Sequence, residues 1–174
     1  MQNKRDYVWG ILRILMGWTF LWAFIDKTFG LGFATCRDAK TLVVDAMCKG
    51  AWINGGSPTL GFLKFGTHGP LAGIYQSMAG NGLVDWLFML GLLLIGMALI
   101  LGVGMRVSAL TGSLLLFLMF TAGSLPPAQN PLIDQHIIYI LVLIGLFLAD
   151  AGNYLGLGKW WSETKLVQKC PSLR

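Results

Sequence analysis

Apolar residues gather in four long runs along this chain, separated by short polar breaks and one long connection. The runs cover about Tyr7 to Ile25, Leu83 to Val103, Val107 to Leu125 and Leu132 to Ala149. A helix needs roughly 20 apolar residues to cross the hydrocarbon of a bilayer, and each run comes close to that length. The pattern predicts an all-α integral membrane protein, a four-transmembrane-helix bundle forming a single membrane domain over residues 1–174. The expected spans are about 7–25, 83–103, 107–125 and 132–149, with a long structured outer loop at about 30–81 and a tail at about 155–174. The first run does not read as a cleaved leader, because it contains Arg13 and several aromatics and no small-residue cleavage site follows it.

Within the long loop, "DAKTLVVDAMCK" shows helical apolar spacing at Leu42, Val43, Ala46 and Met47. "SPTLGFLKF" places Ser57 as an N-cap with Pro58 at the first helical position, and "GPLAGIYQSMAG" reads as a further short helix. All three are too short to cross. Span four opens on "NPLIDQHIIY", with Asn130 as cap, Pro131 first in the helix and Asp134 in the first turn, where a carboxylate suits the helix dipole. Gly91, Gly96 and Gly112 allow close helix approach.

Composition agrees with the pattern. The chain is 55% hydrophobic and only 12% charged, against about a quarter charged in ordinary soluble domains. Its mean hydropathy is +0.66. The net charge of +5 therefore reads as topology signal, not as a nucleic-acid surface. Lys4, Arg5, Arg106, Lys159, Lys165, Lys169 and Arg174 fall on one side in short segments, whereas Lys27, Arg37, Lys40, Lys49 and Lys64 share the long loop. Short segments weigh most, which places the chain in the cell membrane with both termini cytoplasmic and the long loop outside.

Charges near spans are expensive, so each is a candidate for function. Chain direction sorts them into two layers. Arg13, Arg106 and Asp150 lie at the inner end, where an Arg13–Asp150 pair would offset the burial of each. Asp26, Lys27, Asp85, Asp134 and His136 lie at the outer end. Trp18, Trp22 and Asp26 share one face of the first helix at i, i+4 and i+8, and Tyr139 shares a face with His136. A carboxylate, an ammonium, an imidazole and a phenol flanked by indoles suit a quinone, whose carbonyls need proton donors on reduction. The same residues also fit an interfacial histidine and an aromatic belt, and both readings stand.

Cys36 and Cys48 share the outer loop, as a structural disulfide or as a redox-active pair, with Arg37 beside Cys36 favouring a thiolate. The cysteine spacing matches no zinc motif, and with two histidines no metal or haem site is expected.

The stretches "LRILMGWTFLWAFIDKTFG", "AWINGGSPTLGFLKFGTHGP", "GLLLIGMALILGVGMR" and "NPLIDQHIIYILVLIGLFLADAGNYLGLGKWW", in this order, resemble the DoxX/DoxD family, most closely DoxD, the large membrane subunit of thiosulfate:quinone oxidoreductase. That resemblance implies oxidation of thiosulfate to tetrathionate, with electrons passed to a membrane quinone, and a separate DoxA-type small subunit as partner. On this reading Asp134 and His136 handle protons with Asp26 beside them, and Trp18, Trp22 and Tyr139 flank the quinone ring. Lys27, Arg37 and Lys40 attract the anion. Two alternatives predict different behaviour: a non-catalytic accessory subunit of a respiratory complex, and a thiol–disulfide module centred on Cys36 and Cys48.

Overall fold

The computed structural model describes residues 4–38, 40–123, 125–127, 130 and 132–173. The chain is all-helical, and among the described residues the sole β feature is an isolated bridge between Arg37 and Val44. Helix α1 spans Lys4–Phe29, α2 Ala72–Ser77, α3 Gly82–Leu101, α4 Met105–Gly123 and α5 Gln135–Leu148. Two short helices, α6 at Gly158–Ser162 and α7 at Lys165–Lys169, follow. Three helices, α1, α3 and α4, are long and apolar enough to cross a membrane. Helix α5 is apolar but only 14 residues long, about 21 Å at 1.5 Å per residue.

The helix limits follow from capping. Asn81 caps α3 by accepting the Leu83 amide, and left-handed Gly102 (φ +76°) ends it. Helix α5 starts later than its apolar run suggests, because Asp134 is its extended N-cap and accepts the His136 amide. Asp134 thus precedes the first turn instead of lying in it. Asn130 accepts the Leu132 and Ile133 amides in a local turn, and Pro131 lies outside the described residues.

The connection between α1 and α3 departs from expectation in one place. Residues 38 and 40–49 are not helical. The Asp38 carboxylate accepts the Lys40 and Thr41 amides, and Leu42 and Met47 adopt left-handed φ of 59° and 58°. Side-chain bonding to nearby amides competes with a helix, and the Cys36–Cys48 disulfide then clips the turn at its base. Farther on, Ser57 Oγ accepts the Leu60 amide as expected of a cap. A single π-turn, Phe62–Gly66, follows, and α2 forms where "GPLAGIYQSMAG" places it.

Helix α1 packs chiefly on α3, and α4 chiefly on α5. The core draws Met16 and Phe20 from α1, Leu92, Ile95 and Leu99 from α3, Leu116 from α4 and Leu143 and Leu146 from α5. At Gly96 a Cβ would lie 2.8 Å from the Leu21 amide nitrogen, and at Gly17 one would lie 2.9 Å from that of Ile100. These two glycines bring α1 and α3 into backbone contact. Gly112 faces the Leu143 side chain at 2.9 Å, whereas Gly91 has only ordinary contact at 3.8 Å. Large apolar residues remain exposed in stripes, including Leu83, Leu87 and Leu94 on α3 and Leu110, Leu114 and Phe117 on α4. Such stripes suit hydrocarbon and not water.

Arg13 is fully buried, and its guanidinium donates to the carbonyls of Leu99, Ile100, Tyr154 and Leu155. The expected pairing with Asp150 is not made, because Asp150 is exposed. The carbonyls at the C-terminus of α3 keep acceptor capacity that the helix does not fill and carry the negative end of the helix dipole, so they serve in place of a counter-ion.

Candidate functional site

The face of α1 that carries Trp18, Trp22 and Asp26 meets residues 33–34 of the following segment. Asp26 is 1% exposed, and its two oxygens accept the Phe33 amide at 3.0 Å and the Ala34 amide at 2.8 Å. Trp22 lies 5.6 Å from Trp18 and packs edge-on against Phe33 at 5.0 Å. The three residues therefore share a face, as their spacing requires, and together they hold the chain where it leaves the helix.

A second junction joins α1 to α3. The Asp85 carboxylate accepts the Thr59 hydroxyl at 2.6 Å, the Ser57 hydroxyl at 3.0 Å and the Thr59 amide at 3.1 Å. Lys27 donates to the intervening Pro58 carbonyl at 3.4 Å. Trp52 fills the space between Phe24 of α1 and Trp86 of α3, with edge-on contacts to both. Asp26 and Asp85 thus spend their acceptor capacity on the connection itself. Each lies near a different helix end, and each is matched by neutral donors.

Asp134 and His136 form a different kind of unit. His136 Nδ1 lies 2.6 Å from Asp134 Oδ2, and the side chains are 16% and 29% exposed. The carboxylate accepts the Nδ1 proton and orients the ring, which leaves Nε2 without a hydrogen bond among the described residues. An imidazole held this way has its ring fixed and Nε2 directed away from its carboxylate partner, the arrangement used by general acid–base histidines. Tyr139, one turn on, is half-buried and packs on the core. Neither Asp134 nor His136 shares a hydrogen bond, ion pair or ring contact with Asp26, Lys27, Asp85, Trp18 or Trp22. The outer candidates therefore divide into a junction on α1 and α3 and a dyad on α5.

The third candidate is the Cys36–Cys48 disulfide, with a Cα separation of 5.6 Å. It lines a shallow cleft of about 540 Å³ together with Arg37, Asp38 and Asp45. Lys40 lies next to this cleft in sequence, where its amide donates to Asp38. The Asp38 carboxyl is held below the ordinary carboxylate range, first by the Thr41 amide and then by the Lys40 amide. Among the described residues, no three His, Cys, Asp or Glu side chains are grouped to hold a metal ion.

Ser57, Thr59, Trp52, Trp86 and Phe33 were not legible as partners of these groups. Their contacts join residues far apart in sequence, and only the two-residue spacing of a cap or the four-residue spacing of a helix face can be read directly. Compared with family models, curated proteins and solved structures, the chain matches none.

Proposed function

We propose that this chain is the membrane subunit of a sulfur-compound:quinone oxidoreductase that oxidises thiosulfate to tetrathionate. In this reading α1, α3, α4 and the shorter α5 form a four-span bundle in the cell membrane. The connection between α1 and α3 lies outside, and both termini are cytoplasmic. The observation that carries the reading is the Asp134–His136 dyad, an oriented imidazole whose Nε2 is unbonded among the described residues, at the start of an apolar helix.

The reaction balances as two thiosulfate dianions plus quinone and two protons giving tetrathionate and quinol. One S–S bond forms between the two outer sulfurs, and the two electrons that the pair of thiosulfates gives up, one from each, reduce the quinone. His136 supplies a proton at Nε2 and is recharged from the aqueous side, while Asp134 stabilises the imidazolium. Tyr139 and the exposed Trp18 offer an aromatic flank for a ring arriving from the lipid. Arg37 and Lys40 raise the local concentration of a divalent anion. A separate DoxA-type subunit completes the enzyme.

An accessory, non-catalytic role is favoured by one observation: Asp26, Asp85 and the Cys36–Cys48 pair are already committed to holding the connection. Thiosulfate-dependent reduction of a soluble quinone analogue, by the purified protein with its co-purifying subunits, separates the two. The oxidoreductase reading expects one tetrathionate per quinol. No turnover with every partner present selects the accessory reading.

A further inference from the structure

At the end of the helices opposite the long connection, the α3–α4 turn and the turn after α5 enclose a cavity of about 270 Å³. Arg106 from the first turn of α4, Asp150 and Asn153 from the turn after α5, and Phe147 and Trp161 line it. The cavity exists because the two turns approach closely. A Cβ at Gly102 would lie 2.8 Å from the Gly152 carbonyl oxygen, so the backbones themselves form one wall.

Two opposite charges border this space without using each other. Arg106 and Asp150 are exposed, and neither side chain makes an ion pair or hydrogen bond with a described residue. Asp150 sits in a left-handed backbone conformation (φ 50°) that fixes its position at the rim. The first turn of α4 adds the positive end of a long helix beside Arg106. A pocket with separate cationic and anionic sides selects a ligand that carries both charges.

Its location narrows the ligand further. Helices α3 and α4 are both long and apolar enough to cross a membrane, so the turn between them marks a membrane–water boundary. Trp160 and Trp161 lie at the same end, where indoles prefer to sit. Val107 and Leu110 on α4 and Leu148 on α5 are apolar and exposed, and give acyl chains a surface below the cavity.

We propose that this cavity binds the headgroup of a phospholipid carrying a primary ammonium, phosphatidylethanolamine. Arg106 and the first turn of α4 take the phosphate. Asp150 accepts the ammonium N–H bonds, and the Trp161 ring flanks the cation. A choline headgroup has no N–H to donate to Asp150, and a glycerol headgroup can donate hydroxyls to it but brings no cation to offset its charge beside a net anion. The inference rests on the membrane placement of α3 and α4 and is independent of any redox activity.

The test uses delipidated full-length protein in detergent, with lipid binding read by native mass spectrometry and stabilisation by thermal unfolding. Phosphatidylethanolamine should bind about tenfold more tightly than phosphatidylcholine or phosphatidylglycerol. Arg106→Gln should weaken its binding about tenfold. Asp150→Asn should abolish discrimination, so that phosphatidylethanolamine and phosphatidylglycerol bind alike. Both variants should unfold at the wild-type temperature without lipid, since neither side chain has a partner among the described residues. Equal binding of the three lipids by the wild type, or an ethanolamine preference that survives Asp150→Asn, would overturn the proposal. Free phosphoethanolamine should give little stabilisation at the concentration where the lipid saturates, and an equal effect would overturn the lipid as ligand.

Discussion

The two ends of the helix assembly bury charge with opposite partners. At the end bearing the long connection, Asp26 and Asp85 are buried carboxylates that accept amide and hydroxyl protons from residues 33–34 and 57–59. At the other end, Arg13 is a buried guanidinium that donates to four carbonyls. None of the three uses a counter-ion among the described residues. For Asp85 and Arg13 the polarity follows the dipole of α3, because Asp85 lies in its first turn and Arg13 meets its last carbonyls. Asp26 instead lies near the C-terminus of α1 and relies on the two loop amides. In a bilayer, where apolar contact between helices gains little over contact with lipid, such bonds and close glycine approaches set which helices pair. The lesson is that a buried charge in this chain marks a joint before it marks a reaction.

Breaking the Arg13 joint should have the largest effect. Arg13→Met removes four hydrogen bonds from a dry site, leaving Leu99 only the Gly102 amide, and should destabilise the protein by about 4 kcal/mol, read by thermal unfolding in detergent. Arg13→Lys should recover only part of the loss, because one ammonium cannot reach all four carbonyls in the planar geometry of the guanidinium.

The connection is held by a covalent bond as well as by Asp26. Replacing Cys36 and Cys48 together by serine should destabilise by about 3 kcal/mol through loss of loop constraint. If the disulfide is only structural, quinone reduction per folded molecule will be unchanged, and its disappearance would move the redox step to this pair. Asp26→Asn should destabilise by about 2 kcal/mol, since an amide can accept only one of the two N–H bonds and turns its NH2 towards the other donor. Hydrogen exchange at Phe33 and Ala34 should then rise while exchange in α4 and α5 stays the same.

The smallest effect concerns Asp38, whose folded carboxyl titrates below its unfolded value because the Thr41 and Lys40 amides bond the charged form. Its contribution is therefore complete above the ordinary carboxylate pKa and is lost as pH falls through the depressed folded value. Asp38→Asn should lower stability slightly at neutral pH, leave it unchanged below the depressed folded value, and so flatten the acid limb of stability against pH.

These joints also explain what could be read from the sequence. The three long helices follow from run length alone, and the shared face of Trp18, Trp22 and Asp26 follows from spacing. Arg13 was assigned to Asp150 because a sequence displays charged letters, whereas the carbonyls that satisfy it belong to every residue alike. Leu42, Val43, Ala46 and Met47 do fall at helical spacing, yet the local bonds of Asp38 and the disulfide impose a turn. The delayed start of α5 depends on which of two polar residues, Asn130 or Asp134, caps the helix, and periodicity does not distinguish them. The dyad of Asp134 and His136 was legible because its partners are two residues apart.

The dyad contrasts with all of these joints, being part-exposed and, among the described residues, bonded only within its own helix start. The most direct test is His136→Gln, assayed for quinone reduction per folded molecule alongside thermal unfolding. The account predicts an unfolding temperature close to wild type and a rate lowered about 100-fold, the lower range for loss of a general acid–base group. A rate equal to wild type would contradict it and leave the chain an accessory subunit.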